Sequence, residues 1–551
     1  MGKGSTFASF QDLAKALKTK TVPDKPEPKA KASAAQSWRA NGAADGSRAP
    51  LEATKANGKQ AKKARKGKKK KGEKLRVKIS KAAWEAIKNA ASPSEEASVS
   101  SPTEAIIQPG RAQAAFQRIT TRVASSSTDF ETPPATIPAT IADTLQKRIG
   151  LGATWFASHS VPDEVAGETN VIIGFDFGTS SAKIAVRDPF GIEDDIAAME
   201  APTELRSMEH PFLWQTAVWF DPSSKRFSLY PQPDFVSISG FKTGIIGGYG
   251  DKRANKDIEV TRNEAAIAYL ALHAAHLFGW LQSASPFGGA APAAYLRFNV
   301  GVPVAAIDNS VVCSQYGKIV AAAYELIPYA DELDLAMVRS TFADAHEKTP
   351  EGFDLVPELA AAIAGYSSQK TAREGAHLLI DVGASTLDMV TFLRVNSKKA
   401  TGIESSVELL GAAALEVARR AGEPDLECEL ACRHQYKELI DASRKESRTR
   451  VEFKAGREVQ VIATGGGCNT ELHKRFIGSR ATKELLGEVP IIFPSPPAAI
   501  TDEECDTQRL LLAYGLTMDV FEKVELVPPS QTPDMSLQAM TEISAPGPEQ
   551  C

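Results

Sequence analysis

The sequence predicts a mixed α/β protein, and three stretches carry that prediction. Residues 171–186 (VIIGFDFGTSSAKIAV) are a β-branched apolar run, a Gly/Thr/Ser turn and a second apolar run, which is the pattern of a β-hairpin. Residues 377–392 (HLLIDVGASTLDMVTF) repeat that design around Gly383, Ala384, Ser385 and Thr386. Residues 459–470 (VQVIATGGGCNT) are a strand that runs into Gly465, Gly466 and Gly467 and then a helix. Strands of this kind alternate with Ala- and Leu-rich segments of helical period.

The 551 residues leave room for two or three domains. Charge is unevenly spread. Residues 1–80 hold 22 Lys/Arg against 6 Asp/Glu, a net of +16; with the whole chain at −4, the other 471 residues carry −20. An acidic body with a basic arm is the plain description. No apolar run is long enough to span a membrane, and the N-terminus lacks the apolar segment of a secretory leader. Six cysteines in so long a chain point to a reducing compartment rather than a disulfide framework. The expected location is therefore cytoplasmic, with the nucleus open through the basic cluster at 62–71.

In chain order, residues 1–80 are too poor in apolar surface to offset ordering entropy and read as a disordered basic arm. Within it, 7–17 form an amphipathic stretch and 62–71 (KKARKGKKKK) hold eight basic residues in ten. A nucleic acid or an anionic membrane surface is one class of partner for this arm, a nuclear import signal another, and a solubilising tail the bland alternative. No aromatic is interleaved with the lysines, so sequence-specific base reading is not expected. Residues 81–169 read as linker with short helices: one around Trp84 and Ile87, Ser/Pro-rich chain to about Pro138, and an arm at 141–169 draped over the body.

The compact part begins at Asn170. Residues 213–229 are two strands around Asp221-Pro222-Ser223-Ser224. Residues 239–248 (SGFKTGIIGG) form a Gly-rich loop bearing Lys242, followed by a Thr-capped helix from Asn263 to about Leu281. Residues 296–304 are a strand, 311–326 a helix and 355–366 (LVPELAAAIAGY) a helix start. A helix begins near Gly411, and a long one covers 426–448 ahead of a strand pair. Residues 509–517 (RLLLAYGLT) form a last helix, and the folded part ends near Leu526.

The turn chemistry suits phosphate. Backbone N–H groups at 178–181 and the hydroxyls of Thr179 and Ser180 can share one concavity. Asp176 beside it would act through Mg²⁺ and its waters. An ordinary tight hairpin is the alternative. Consecutive glycines at 465–467 let backbone approach a planar or anionic ligand. Cys428, Cys432 and His434 have a metal-like spacing, but His434 lies off the face shared by the two thiols, so buried thiols are expected.

Taken together and in this order, the three stretches resemble the first phosphate, second phosphate and adenosine motifs of the actin-like ATPase superfamily, which holds actin, the 70-kDa heat-shock chaperones and the sugar kinases. The resemblance covers about Asn170 to Lys523. It implies a two-lobed fold of duplicated ribonuclease-H-like domains: lobe I at 170–368, lobe II at 373–504, a C-terminal helix at 505–526 returning to lobe I, and a disordered tail at 527–551. The chaperones' nucleotide-binding domain is the nearest likeness. The strand, Lys loop, charged spacer and helix of 239–281 resemble its first lobe, with Lys242 as the candidate for its catalytic lysine and an exposed loop lysine as the alternative. The stretch at 355–366 is similar to its Glu-Pro-Thr-Ala-Ala-Ala helix start, with Glu358 orienting water, although the proline is displaced to Pro357.

What the resemblance implies for ATP and Mg²⁺ is specific. Asp176 and Asp381 would face each other and hold the metal through water. Gly178, Thr179, Ser180 and Lys183 on one side, and Gly383, Ala384 and Ser385 on the other, would position the phosphates. Thr386 would bond the γ-phosphate, and Gly465, Gly466 and Gly467 would receive the adenosine. Ala384 and Ser385 replace glycines common in the chaperones; such small side chains are either tolerated or slow or abolish turnover. The adenine-clamping subdomain reads as trimmed, with Arg444 and Lys445 as candidates to stack on the base. The expected function is an ATP-binding, chaperone-like conformational switch with a protein client or partner and without the peptide-binding domain. An actin-like filament protein is the first alternative. A sugar-kinase-like phosphotransferase is the second, although such kinases usually lack the Thr-x-Asp present at Thr386-Leu387-Asp388.

Overall fold

The computed structural model describes residues 109–125, 136–158, 171–189, 196–208, 210–283, 296–303, 310–396, 399–445, 453, 459–479, 486, 491–494 and 507–526. All of them fall in one of the chain's two units; the other, Val22–Ile106, contains no described residue. The basic arm, the helix expected around Trp84, the strand pair after Arg448 and the C-terminal tail therefore lie outside the described residues.

Both hairpins form. Strand β1 (Val171–Asp176) pairs antiparallel with β2 (Ser181–Arg187), and all six β1 residues are buried. On the far edge of β2 lie the short strands β3 (Ile196–Ala198) and β4 (Trp214–Gln215). On the other side of β1, β8 (Leu296–Val302) and β9 (Phe353–Pro357) run parallel to it. The second sheet is centred on β10 (Gly375–Val382). It has β11 (Leu387–Asn396) and β12 (Lys399–Glu408) antiparallel on one side, and β13 (Gln460–Thr464) and β14 (Ile491–Ile492) parallel on the other. Each large sheet thus joins an antiparallel meander to parallel neighbours across one central strand. A third, small sheet holds β5 (Ala217–Phe220), β6 (Phe227–Ser228) and β7 (Val236–Ser239).

Helices cover these sheets. A capping box opens α4 (Arg262–Ser283): Glu264 N–H donates to Thr261 Oγ1 and Thr261 N–H to the Glu264 carboxylate. Nearly every α4 side chain is buried, the signature of a helix apolar all round. Two buried helices, α7 (Glu358–Ser367) and α11 (Leu511–Leu516), join a core with Leu379, Val390, Phe392 and Ile462 of the second sheet. They cross closely, since a Cβ on Gly515 would stand 1.8 Å from Ala361 O. Helix α11 also meets β1, where a Cβ on Gly174 would lie 2.2 Å from Ala513 O. The C-terminal segment is not confined to the first sheet, because β15 (Val524–Leu526) pairs parallel with β12.

Three expectations are corrected. Residues 241–246 are a helix, α3 (Phe241–Ile246), entered from Gly240 at φ 66°, and not a loop. Phe241 and Ile245 stand one turn apart and both are buried, so packing outweighs the glycine content of the stretch. Residues 353–357 are edge strand β9, with Pro357 at its end, where a missing N–H is tolerated. The stretch read as Ser/Pro-rich chain up to Pro138 contains α1 (Pro109–Ser125), packed on the second core, whereas α2 (Ala139–Ser158) lies on the first core as an arm over the body would. No described helix is long and apolar enough to cross a membrane.

Candidate functional site

Asp176 ends β1, and the register sets Lys183 of β2 opposite it, with Lys183 Nζ 2.9 Å from Asp176 Oδ2. The turn between them must be small. A Cβ on Gly178 would fall 2.2 Å from Ser181 O, and Thr216 Oγ1 donates to Gly178 O at 2.8 Å. Gly178, Thr179 and Ser180 are half-buried. The second hairpin sets Asp381 directly opposite Asp388. Its turn closes with Gly383 N–H donating to Thr386 O at 2.9 Å. Helix α8 (Ala412–Arg420) braces the same turn, its amides at Ala412 to Ala414 donating to the carbonyls of Gly383 and Ala384.

Helix α3 lies between the hairpins. Its Lys242 donates to Phe177 O and to Glu358 Oε1, the latter at 2.6 Å, with the ammonium 5.5 Å from the Phe177 ring centre. Glu358 opens α7 and is buried. The neighbouring Thr243 hydroxyl stands 2.9 Å from the Ser385 hydroxyl, so α3 touches both turns.

Charge at this place is unbalanced. Asp176, Glu358, Asp381 and Asp388 face Lys183 and Lys242, a formal excess of two negative charges. Burial pushes the Asp381 carboxyl up to about 7, helped by the nearby Asp176 carboxylate and opposed by Lys183. Burial raises Asp388 well above the usual carboxylate range, with Glu358 and Asp381 adding to it and a hydrogen bond from Thr386 working against it. Glu358 is raised by burial as well, with Lys242 opposing. Asp388 keeps a buried Oδ1 without a hydrogen-bond partner. Such an orphan acceptor inside a carboxylate cluster fits a site that takes a cation or a hydrated metal. Among the described residues no three His, Cys, Asp or Glu side chains are grouped to ligate a metal directly.

The glycine stretch reaches the same cluster. Gly465 has φ 82°, and a Cβ on it would sit 2.2 Å from Asp381 Oδ1. The first of the three glycines is thus required by the protein's own backbone crossing. Gly467 leaves no room beside Val382, and Gly466 faces the Arg509 guanidinium.

The fold gathers Asp176, Lys183, Lys242, Glu358, Asp381, Ser385, Thr386 and Gly465, drawn from five segments. Arg444 is elsewhere occupied, donating to Phe453 O at 2.7 Å. Cys428 and Cys432 are buried free thiols, and the ring of His434 meets Phe116 edge-on at 5.2 Å. Asp388 was legible only as part of a motif; an Asp inside an otherwise apolar strand, opposite another Asp, was the available signal. Thr243 and Arg509 carried none. No protein-family model matches the chain, and a search of curated proteins finds no match.

Proposed function

We propose that this chain is a two-lobed ATPase of the actin-like type, nearest the chaperone nucleotide-binding domain, that binds Mg·ATP between its two large sheets and uses lobe closure as a switch. One observation carries the reading. Two strand–turn–strand units, one from each sheet, converge on a buried cluster of four carboxyl groups and two lysines. Asp176 and Asp381 would hold Mg²⁺ through water, and that ion supplies charge neutralisation at the β- and γ-phosphates. The protein's own work is positional. Lys183 exchanges Asp176 for a phosphate oxygen, and the turns at 178–181 and 383–386 orient the chain of phosphates. Lys242 is held in one rotamer by Glu358 and Phe177 O. Glu358 or Asp381 would orient the attacking water. Arg509, over Gly466, borders the base end.

The test is binding and turnover of ATP by the purified full chain, with and without Mg²⁺. Asp176→Asn and Asp381→Asn should each remove metal-dependent binding while the circular dichroism spectrum stays that of the parent. Unchanged binding in both variants would overturn the reading. Sedimentation in the same samples decides between switch and filament: a switch leaves the protein in the supernatant with ATP, whereas a filament pellets through a head-to-tail contact that does not close.

A further inference from the structure

The turn that carries the chain from α7 into β10 is held by a buried cation. Arg394 of β11 is 6% exposed. Its Nη1 donates to Ala372 O at 3.0 Å and its Nη2 to Ser367 O at 3.2 Å, so the guanidinium grips both ends of the turn. Both partners are neutral carbonyls, and no carboxylate among the described residues pairs with it. A guanidinium taken out of water is costly to hold unless an opposite charge meets it. The carbonyl end of α7 offers only a fraction of one.

Donors are also left over in this turn. Arg394 Nε, Ser367 Oγ and Gln369 Nε2 are buried with no hydrogen-bond partner. Ser367 is 3% exposed, so solvent does not serve it. Ser368 beside it differs: its hydroxyl bonds back to Ala364 O at 2.8 Å, the usual outlet for a serine in a helix, and accepts from Lys523 Nζ at 2.9 Å. The neighbouring titratable groups supply no negative charge. His377 Nδ1 donates to Gly375 O at 2.8 Å, which leaves Nε2 to accept from the Tyr366 hydroxyl at 3.3 Å. Burial, helped by Arg394, lowers His377 to about 4, so its ring is neutral. Burial raises Tyr366, which therefore keeps its proton.

We propose that this turn binds a small monovalent anion of the size of chloride, held by Arg394 Nε and the Ser367 hydroxyl with the Gln369 amide as a third donor. N–H and O–H donors beside a guanidinium are the chemistry that recognises such an ion. The anion supplies the charge that Arg394 lacks, and it ties β11 to the last turn of α7. The chain between α7 and β10 then opens less often when the ion is bound. Arg394 stands six residues along β11 from Asp388, about 20 Å away, so this site is distinct from the carboxylate cluster. The inference does not rest on nucleotide binding, and its test contains none.

The experiment is hydrogen exchange on the full chain in sodium chloride and in sodium gluconate at equal ionic strength, gluconate being too large for the turn. In the parent, exchange of residues 366–376 should be slower in chloride, by about tenfold when chloride stands at ten times its dissociation constant. Arg394→Gln should exchange equally in the two salts, and Ser367→Ala should lose part of the difference. No difference between the salts in the parent would overturn the proposal, since water alone would then serve the donors. A difference of parental size in both variants would overturn it as well, by placing the chloride effect elsewhere on the chain. Should Arg394→Gln fail to fold, Ser367→Ala carries the comparison, because it removes one donor and leaves the guanidinium's grip on the turn in place.

Discussion

At the scale of single residues, the cluster's carboxyls and the buried histidines oppose each other in pH. Asp381 titrates near 7 in the folded chain and near 3.8 unfolded. Between these values the folded state holds the extra proton, so this group's contribution to stability is lost as pH rises through that window. Burial lowers His276 to about 3, and His377 and His473 each to about 4. For these the unfolded state holds the extra proton, so stability is lost as pH falls below 6.5. Asp381→Asn should therefore stabilise the nucleotide-free protein at pH 8, by about 1–2 kcal/mol once its partial exposure is allowed for, and hardly at all at pH 4. Urea unfolding at the two pH values checks it. A gain of equal size at both would show that the carboxylate is not strained by its burial.

At the scale of elements, close crossings replace side-chain layers at the junction of the two sheets. Gly515 of α11 rests on Ala361 O of α7, and its N–H is near Gly365. Gly515→Ala should cost about 2–3 kcal/mol by pushing the two helices apart. Gly150→Ala in α2, with nothing within 4 Å of its Cβ, should be neutral or slightly stabilising. Thermal melts of the two variants make the comparison, and equal melting temperatures would mean that the crossing relaxes freely. The capping box at Thr261 belongs to this scale too, since it starts α4 and so sets where that helix's buried face meets the first sheet.

At the scale of the whole molecule, the question is how a chain with +16 in its first 80 residues and −20 in the rest uses that separation. If the basic arm is what meets polyanions, removal of residues 1–80 should weaken any association with RNA, DNA or anionic vesicles and leave the proposed nucleotide binding unchanged. That association should fall steeply with salt, as counterion release requires. Binding titrations at two ionic strengths test it, and a salt-insensitive association would exclude the electrostatic account. If the cleft closes on ATP, it does so because ATP favours the closed form over the open one. Protection of residues 366–376 from protease should then rise with ATP, since Ser367 and Ser368 end α7 at the passage between the sheets.

The sequence alone determined the two hairpins, the strand into the glycine stretch, the capped α4 helix and the charge asymmetry. Each is a local pattern of period two or 3.6, or of composition, and depends on residues close together in the chain. Only the tertiary structure decided that Lys242 pairs with Glu358, 116 residues away, that Thr243 meets Ser385, and that Asp388 joins Asp381 with an acceptor unfilled. It also decided that residues 241–246 coil into a helix and that 109–125 form a helix packed on the second core. Burial between partners distant in sequence leaves no periodic trace. The glycines at 152, 279 and 515 show the same limit: each reads locally as a weak spot in a helix, and each is needed because another backbone lies against it.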